Sequence, residues 1–154
     1  MKELKAPFVI RRAIQDDVPT ILALLMDDDL GKLREDSSLK SYEDAFETIS
    51  RDENQFLGVA DLDSKLVGCF QITFIPGLSR RGMWRAQIES VRIARALRGQ
   101  ELGTIMMQWA IVRARERGCG LVQLNSDKTR LEAHSFYEAL GFKASHEGFK
   151  LYVQ

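Results

Sequence analysis

Apolar positions along this chain repeat with two periods, and the switches between them mark out the elements. Residues 8–12 read as a short strand; Asp16 and Asp17 come next as N-cap candidates, with Pro19 in the first turn. Val18, Ile21, Leu22 and Leu25 then recur at helical spacing, so a strand enters a first helix. Residues 31–40 are polar and read as a flexible loop. Ser41 and Asp44 form a capping-box pattern for a second helix, whose stripe is Tyr42, Ala45, Phe46 and Ile49. Residues 55–61 and 66–75 are strand-like runs joined across 62–65, an antiparallel hairpin that Pro76 and Gly77 end. A basic loop, 79–82, leads into a central strand. From about Gln100 to Arg117, the spacing of Leu102, Ile105, Met106, Trp109 and Val112 gives a long helix one buried face, and Gly118 stops it. The next strand, 121–126, is joined to the central one by that helix, so the two are parallel neighbours. Ala133, Phe136, Tyr137 and Leu140 predict a last helix closed by Gly141, and 149–153 reads as a closing strand.

The central strand carries an irregularity. Trp84, Ala86 and Ile88 share one parity, whereas Val91 and Ile93 share the other. A one-residue β-bulge would shift the apolar face in this way, leave a backbone N–H unpaired beside Glu89 and Ser90, and splay the strand from a neighbour. A strand buried on both faces with no bulge fits the same pattern. After the strand, a turn with Arg98 and Gly99 opens the long helix. The unpaired N–H groups of a helix's first turn, the positive end of its dipole and an arginine together favour a phosphate or pyrophosphate.

The stretch RGQELG, residues 98–103, resembles the acyl-CoA motif of the GNAT superfamily of N-acetyltransferases, Arg/Gln-x-x-Gly-x-Gly/Ala after a strand; the family's central Gly is Glu101 here. LEAHSFYEALGF resembles the second signature of that family at Ala133, Phe136, Tyr137, Gly141 and Phe142, with Arg130 where Asn is frequent. The opening segment IRRAIQDDVPTILALL is loosely similar to the family's first strand and helix. The resemblance spans essentially the whole chain, strongest from Ile88 to Phe142. It implies one GNAT domain over residues 1–154, of α/β (α+β) class. Its mixed, mainly antiparallel central sheet would have six to seven strands with a splayed parallel pair, flanked by four helices.

The resemblance also implies acetyl-CoA as co-substrate and direct attack by an amine in a ternary complex. Val91 and Ile93 would pair with the pantetheine arm. Arg98, Gly99, Gln100, Leu102, Gly103 and Thr104 would hold the pyrophosphate, while Asn125 and Arg130 reach the cofactor. Glu89 matches the strand carboxylate that acts as base directly or through water, and Tyr137 matches the general acid. The backbone N–H at Val91 is the oxyanion donor. Read from the residues alone, Glu89 serves equally as an outward ion-pair partner for Arg85 or Arg92; Tyr137 can also be read as a core tyrosine, and His134 as a contact to cofactor or substrate or as a solvent-facing helix residue.

Composition narrows the classes further. The 154 residues suit one core, and 22 Lys plus Arg balance 22 Asp plus Glu, so no global field recruits nucleic acid or an anionic membrane. The N-terminus lacks a secretory apolar run and no stretch approaches a membrane span, which predicts a cytoplasmic protein. Cys69 and Cys119 lack metal-ligand spacing and read as core thiols, so no metal is expected. The acidic run Asp27, Asp28 and Asp29 sits where a helix dipole opposes it; it either draws a cationic amine or is a solvated helix end. The expected partner is a small-molecule amine, and homodimers are compatible with the family. A non-catalytic acyl-CoA binder is the alternative. A Rossmann-type module is disfavoured, because GxGxxG is missing and the chain opens antiparallel.

Overall fold

The computed structural model describes residues 6–36 and 38–154. The expectation of no leader at the N-terminus bears partly on residues outside that range. The elements run β1 (Phe8–Arg12), a 3-10 turn (Gln15–Asp17), α1 (Val18–Met26), α2 (Gly31–Arg34), α3 (Leu39–Arg51), β2 (Gln55–Leu62), β3 (Lys65–Ile75), α4 (Ser79–Gly82), β4 (Trp84–Ile93), a 3-10 turn (Arg95–Leu97), α5 (Leu102–Glu116), β5 (Cys119–Gln123) and α6 (Leu131–Ala139). The chain divides into two compact units, one reaching to Gln123 and one from Leu124 to Gln154.

In the first unit the sheet order is β1-β2-β3-β4-β5, antiparallel except for the parallel β4–β5 pair. The β2–β3 hairpin turns on Asp63 and Ser64, both at positive φ (50 and 63). Two consecutive left-handed residues match the right-handed twist of a two-residue hairpin. The two sheet faces are covered differently. Phe56 and Phe70 meet Trp109 of α5, with ring centroids 5.3 and 5.8 Å away. Gly58 makes room for them, since a Cβ there would lie 2.4 Å from the Phe70 ring. On the opposite face Val59 and Cys69 pack with Ile21 and Leu24 of α1, and Phe46 of α3 leans on that cluster.

Several sequence expectations are corrected. Five strands and six helices stand among the described residues, against six to seven and four. The additional helices, α2 and α4, are single turns too short to show a period, and α4 has Arg80 and Arg81 at positive φ. The strand expected at 149–153 is absent: Phe149, Leu151 and Val153 alternate but stand exposed, and alternation makes a strand only where a neighbour supplies ladder bonds. The strand expected over 121–126 is β5, two residues earlier. Helix α3 begins at Leu39, and the Ser41–Asp44 capping box does not form: Ser41 Oγ donates to Ser38 O (3.0 Å) and Asp44 pairs with Lys40. On α5 the buried line is Leu102, Met106, Ala110 and Ala114, with Met107 beside it, while Val112 is 46% exposed. Small alanines let the helix lie close to the sheet, and their weak hydrophobicity hid them behind Val112.

Arg11 ties β1 to the entry of α1 and to β2. Its Nη1 and Nη2 donate to the two oxygens of Asp17 (2.7 and 3.0 Å), and its Nε to Asp61 Oδ2 (2.7 Å). Asp17 also accepts from the Ile14 N–H at 2.8 Å. The Arg11 hydrogen bonds, above all, hold the Asp17 carboxyl below its usual range. A depressed carboxyl stabilises the fold above its unfolded pKa, and that stabilisation is lost as pH falls through the folded value. Asp17→Asn is expected to cost about 1–3 kcal/mol at pH 7. The gap to the native chain should shrink on acidification below about pH 4, as urea titrations at the two pH values would read.

Candidate active site

The β3–β4 register steps from Cys69↔Arg92 to Gln71↔Glu89, so β4 spends one residue more than β3 between these pairs. This is the bulge, centred on Ser90, whose φ is +56. It decides between the two sequence readings. Ala86 and Ile88 before it are buried, Ile93 after it packs beside Gly68 and Met106, and Arg92 turns to the α1 side. The bulge is held from below by the Cys69 thiol, which lies 3.6 Å from Ser90 O as a donor. Burial pushes that thiol up to about 12, so it stays protonated and donates. Cys119 is raised too, also by burial.

Beyond the bulge β4 loses its parallel neighbour. The β4–β5 ladder ends at Gln87↔Gln123, where Gln123 Nε2 donates to Gln87 Oε1 at 2.8 Å. Residues 88–93 continue with no pairing to β5. Ala94 N donates to Val67 O of β3 (2.7 Å). Because successive residues turn their N–H groups to opposite edges, Val91 and Ile93 turn theirs away from β3, towards the side β5 has left.

The turn after β4 ends this edge on a helix start. Ile105 N donates to Glu101 O (3.0 Å), the first bond of α5, so the amides of Leu102, Gly103 and Thr104 have no acceptor within the helix. The helix begins at Leu102, two residues later than the spacing predicted. Glu101 is its N-cap in the left-handed region, φ 65 and ψ 0, and Gly99 has φ +78. Glycine is the residue that adopts this conformation freely, which is the physical content of the departure seen in the motif. The Glu101 side chain makes no capping hydrogen bond.

Within the acidic run, Asp27 and Asp28 meet arginines, while Asp29 is exposed. Asp28 Oδ2 lies 2.9 Å from Arg92 Nε, a charge contact with the N–H not aligned on it. Asp28 also accepts from Gly31 N, which starts α2 where a flexible loop was expected. Asp27 pairs with Arg95 at 3.5 Å, and its carbonyl accepts from Arg95 Nη2 (3.1 Å) and Arg98 Nη2 (3.4 Å). Arg98 further donates Nε to Ile93 O (3.2 Å). Arg92 and Arg95 thus offset the charges of Asp28 and Asp27, which the α1 dipole opposes.

Glu89 is exposed and, among the described residues, forms no ion pair; of its two suggested partners, Arg92 is taken by Asp28 and Arg85 makes no ion pair with it. Glu89 faces Gln71 directly across the ladder. Beside them lies a cavity of ≈ 180 Å³ between α1, α3 and the sheet, lined among others by Leu22, Phe46, Ile49, Leu57, Gln71 and Ser90. Sequence reasoning missed it: the α3 stripe looks like a core-packing face, yet α3 has no buried residue and part of its apolar face borders this space.

Asn125, Arg130 and Tyr137 belong to the second unit. Tyr137 is half-buried, edge-on to Phe136 and Phe142 with centroids 5.1 and 6.0 Å away. Arg130 is the exposed N-cap of α6. Asn125 is exposed. His134, read as solvent-facing, is half-buried, and its Nε2 is 2.8 Å from Asp127 O, holding the loop before α6.

A mainly antiparallel sheet with one parallel pair at its edge lacks the consecutive βαβ units of a dinucleotide-binding fold. The chain belongs to the acetyltransferase (GNAT) family, whose model matches residues 19–142. The aminoalkylphosphonate N-acetyltransferase of Salmonella typhimurium is 26% identical over 140 residues, 91% of this chain and 88% of that protein. A crystal structure described as a transcriptional regulator from Bacillus halodurans shares 47% identity and a TM-score of 0.91 over 95% of this chain and 99% of its own. The glucosamine-6-phosphate N-acetyltransferase of Arabidopsis thaliana, 21% identical with a TM-score of 0.79 over 96% and 99%, shares the fold.

Relieving the left-handed strain at position 101 should stabilise the fold. Glu101→Gly is expected to gain about 0.5–1 kcal/mol, the left-handed penalty less the entropy of glycine. A thermal melt no higher than that of the native chain would contradict this account of the turn.

Proposed function

We propose that residues 1–154 act as one N-acetyltransferase domain that moves the acetyl group of acetyl-CoA to a primary amine of a small molecule. The observation that carries the reading is the edge of β4 past Gln87: strand-like N–H groups at Val91 and Ile93, unpaired by β5, run up to the free first-turn amides of α5. That sequence of donors suits an amide-bearing arm followed by a pyrophosphate. Gly99, Gln100, Leu102, Gly103 and Thr104 would cradle the pyrophosphate. Arg98 would serve it with the part of its guanidinium not engaged by Ile93 and Asp27, and Asn125 and Arg130 are the further cofactor contacts of the reading.

The chemistry asks three things of the chain. An alkyl amine with a pKa near ~10 is mostly protonated at neutral pH. Glu89 would accept its proton, directly or through water, and the nitrogen lone pair attacks the thioester carbonyl to form the C–N bond. The carbonyl electrons move to oxygen, where the Val91 N–H stabilises the oxyanion without reorganisation. The oxyanion then collapses back to the carbonyl, the C–S bond breaks and Tyr137 would protonate the leaving thiolate, while the second proton of the attacking nitrogen passes through water to the tyrosinate and restores Tyr137. Burial makes Cys69 a protonated donor, so no acyl-enzyme on that thiol enters the scheme.

A second reading, a non-catalytic acyl-CoA-binding protein, draws on Glu101 in the family's glycine position and on the Bacillus halodurans relative being described as a transcriptional regulator. Turnover separates the two. Acetyl-CoA should bind in a calorimeter and release thiol when an accepted amine is added. Glu89→Gln should lower kcat by about 10²–10⁴-fold with little change in acetyl-CoA affinity. Binding with no thiol release across an amine panel would favour the second reading, and no binding at all would remove both.

A further inference from the structure

The cavity beside the bulge says what kind of amine the site takes, an inference that rests on the acetyltransferase reading. Its floor is apolar: Leu22 from α1, Phe46 and Ile49 from α3, and Leu57 from β2. None of its lining residues is charged. Its polar margin is Gln71, Ser90 and Tyr42, whose hydroxyl donates to Glu35 (2.6 Å), and Gln71 is the cross-strand partner of Glu89, which puts that carboxylate on the same face of the sheet, one residue from Ser90. Gln71 is oriented by its own hydrogen bond to Gln55 Oε1 at 2.9 Å.

An acceptor whose ammonium pairs with Glu89 would therefore send the rest of its carbon skeleton into an apolar space. A volume of ≈ 180 Å³ is a little larger than the roughly 150 Å³ apolar cavity that takes up benzene, enough for a phenyl ring or a five- to six-carbon chain. The same space is hostile to a phosphonate, which would lose its hydration with no cation to replace it. On this face Arg92 is 9% exposed and already committed to Asp28 and to Val91 O (2.9 Å), and Arg11 to Asp17 and Asp61.

We infer that this chain selects hydrophobic primary amines, arylalkyl or medium-chain alkyl, through the pocket between α1, α3 and the β4 bulge, and discriminates against aminoalkylphosphonates.

Ala45 lines the cavity yet is exposed, so a larger side chain there can obstruct it without disturbing the core. Binding of 2-phenylethylamine and n-hexylamine to the full chain, with aminomethylphosphonate as comparison, would be followed by calorimetry or by NMR shifts. Thiol release from acetyl-CoA would be measured separately. The two hydrophobic amines should bind at least tenfold more tightly than the phosphonate, Ala45→Trp should weaken them at least tenfold, and Phe46→Ala should move the preference towards longer chains. Turnover of aminomethylphosphonate with none of the hydrophobic amines would overturn the inference while leaving the acetyltransferase reading intact. Hydrophobic-amine binding indifferent to both substitutions would overturn it as well. Binding that responds to the substitutions with no turnover of any amine supports the pocket and removes the catalytic reading alone.

Discussion

One extra residue in β4 governs what the rest of the first unit can do. The bulge at Ser90 lets Ala86, Ile88 and Ile93 all face the α5 side although their parity changes, and it turns Arg92 to the α1 side. Without it, either the residues before the bulge or those after it would present the wrong face, and the buried row against α5 would break. The same irregularity bends β4 where its pairing with β5 ends, so the cost of an interrupted ladder yields an edge of free backbone donors. Its support is chemical as well as steric: a fully buried thiol donates to the Ser90 carbonyl, and an arginine two residues on is neutralised by Asp28.

A second dependence runs from the turn after β4 to the end of α1. Arg92, Arg95 and Arg98 reach Asp27 and Asp28, so the loop that opens α5 is tied by charge to the helix that walls the cavity. The Arg95–Asp27 ion pair and the Arg98 hydrogen bond to the Asp27 carbonyl are exposed, and each is worth little alone. Arg92 with Asp28 is the buried member; removing either partner would leave an uncompensated charge. The donor edge and the cavity wall are in this way parts of one connected arrangement.

The central features were legible in the sequence because each leaves a local trace. A bulge must shift parity, and Ile88 against Val91 carried that shift, although a strand buried on both faces fitted it equally until the β3–β4 register was seen. A helix start must have a turn, and Arg98 with Gly99 showed that. What stayed hidden depends on partners far along the chain. The pairing of Asp27 and Asp28 with arginines some 65 residues away has no local signal, so the acids looked either functional or idle. The α3 stripe of Tyr42, Ala45, Phe46 and Ile49 has the right period for a core helix, but period reports a direction and not a depth, and the stripe borders a cavity. Alternation at Phe149, Leu151 and Val153 likewise reports a side-chain pattern without a neighbour to pair with. Glu101 was visible as a departure from the motif, but only the backbone, at φ 65, shows that the position demands a left-handed residue.

The central claim is that the β4 edge past the bulge receives the acyl donor, and amide hydrogen exchange at single residues reads it directly. In the free protein the Val91 and Ile93 amides should exchange quickly, while Ala94, bonded to Val67, exchanges slowly. Saturating acetyl-CoA should slow Val91 and Ile93 at least tenfold and leave Ala94 as it was. If acetyl-CoA binds and the two amides exchange as before, the donor docks elsewhere and the role given to the bulge is wrong.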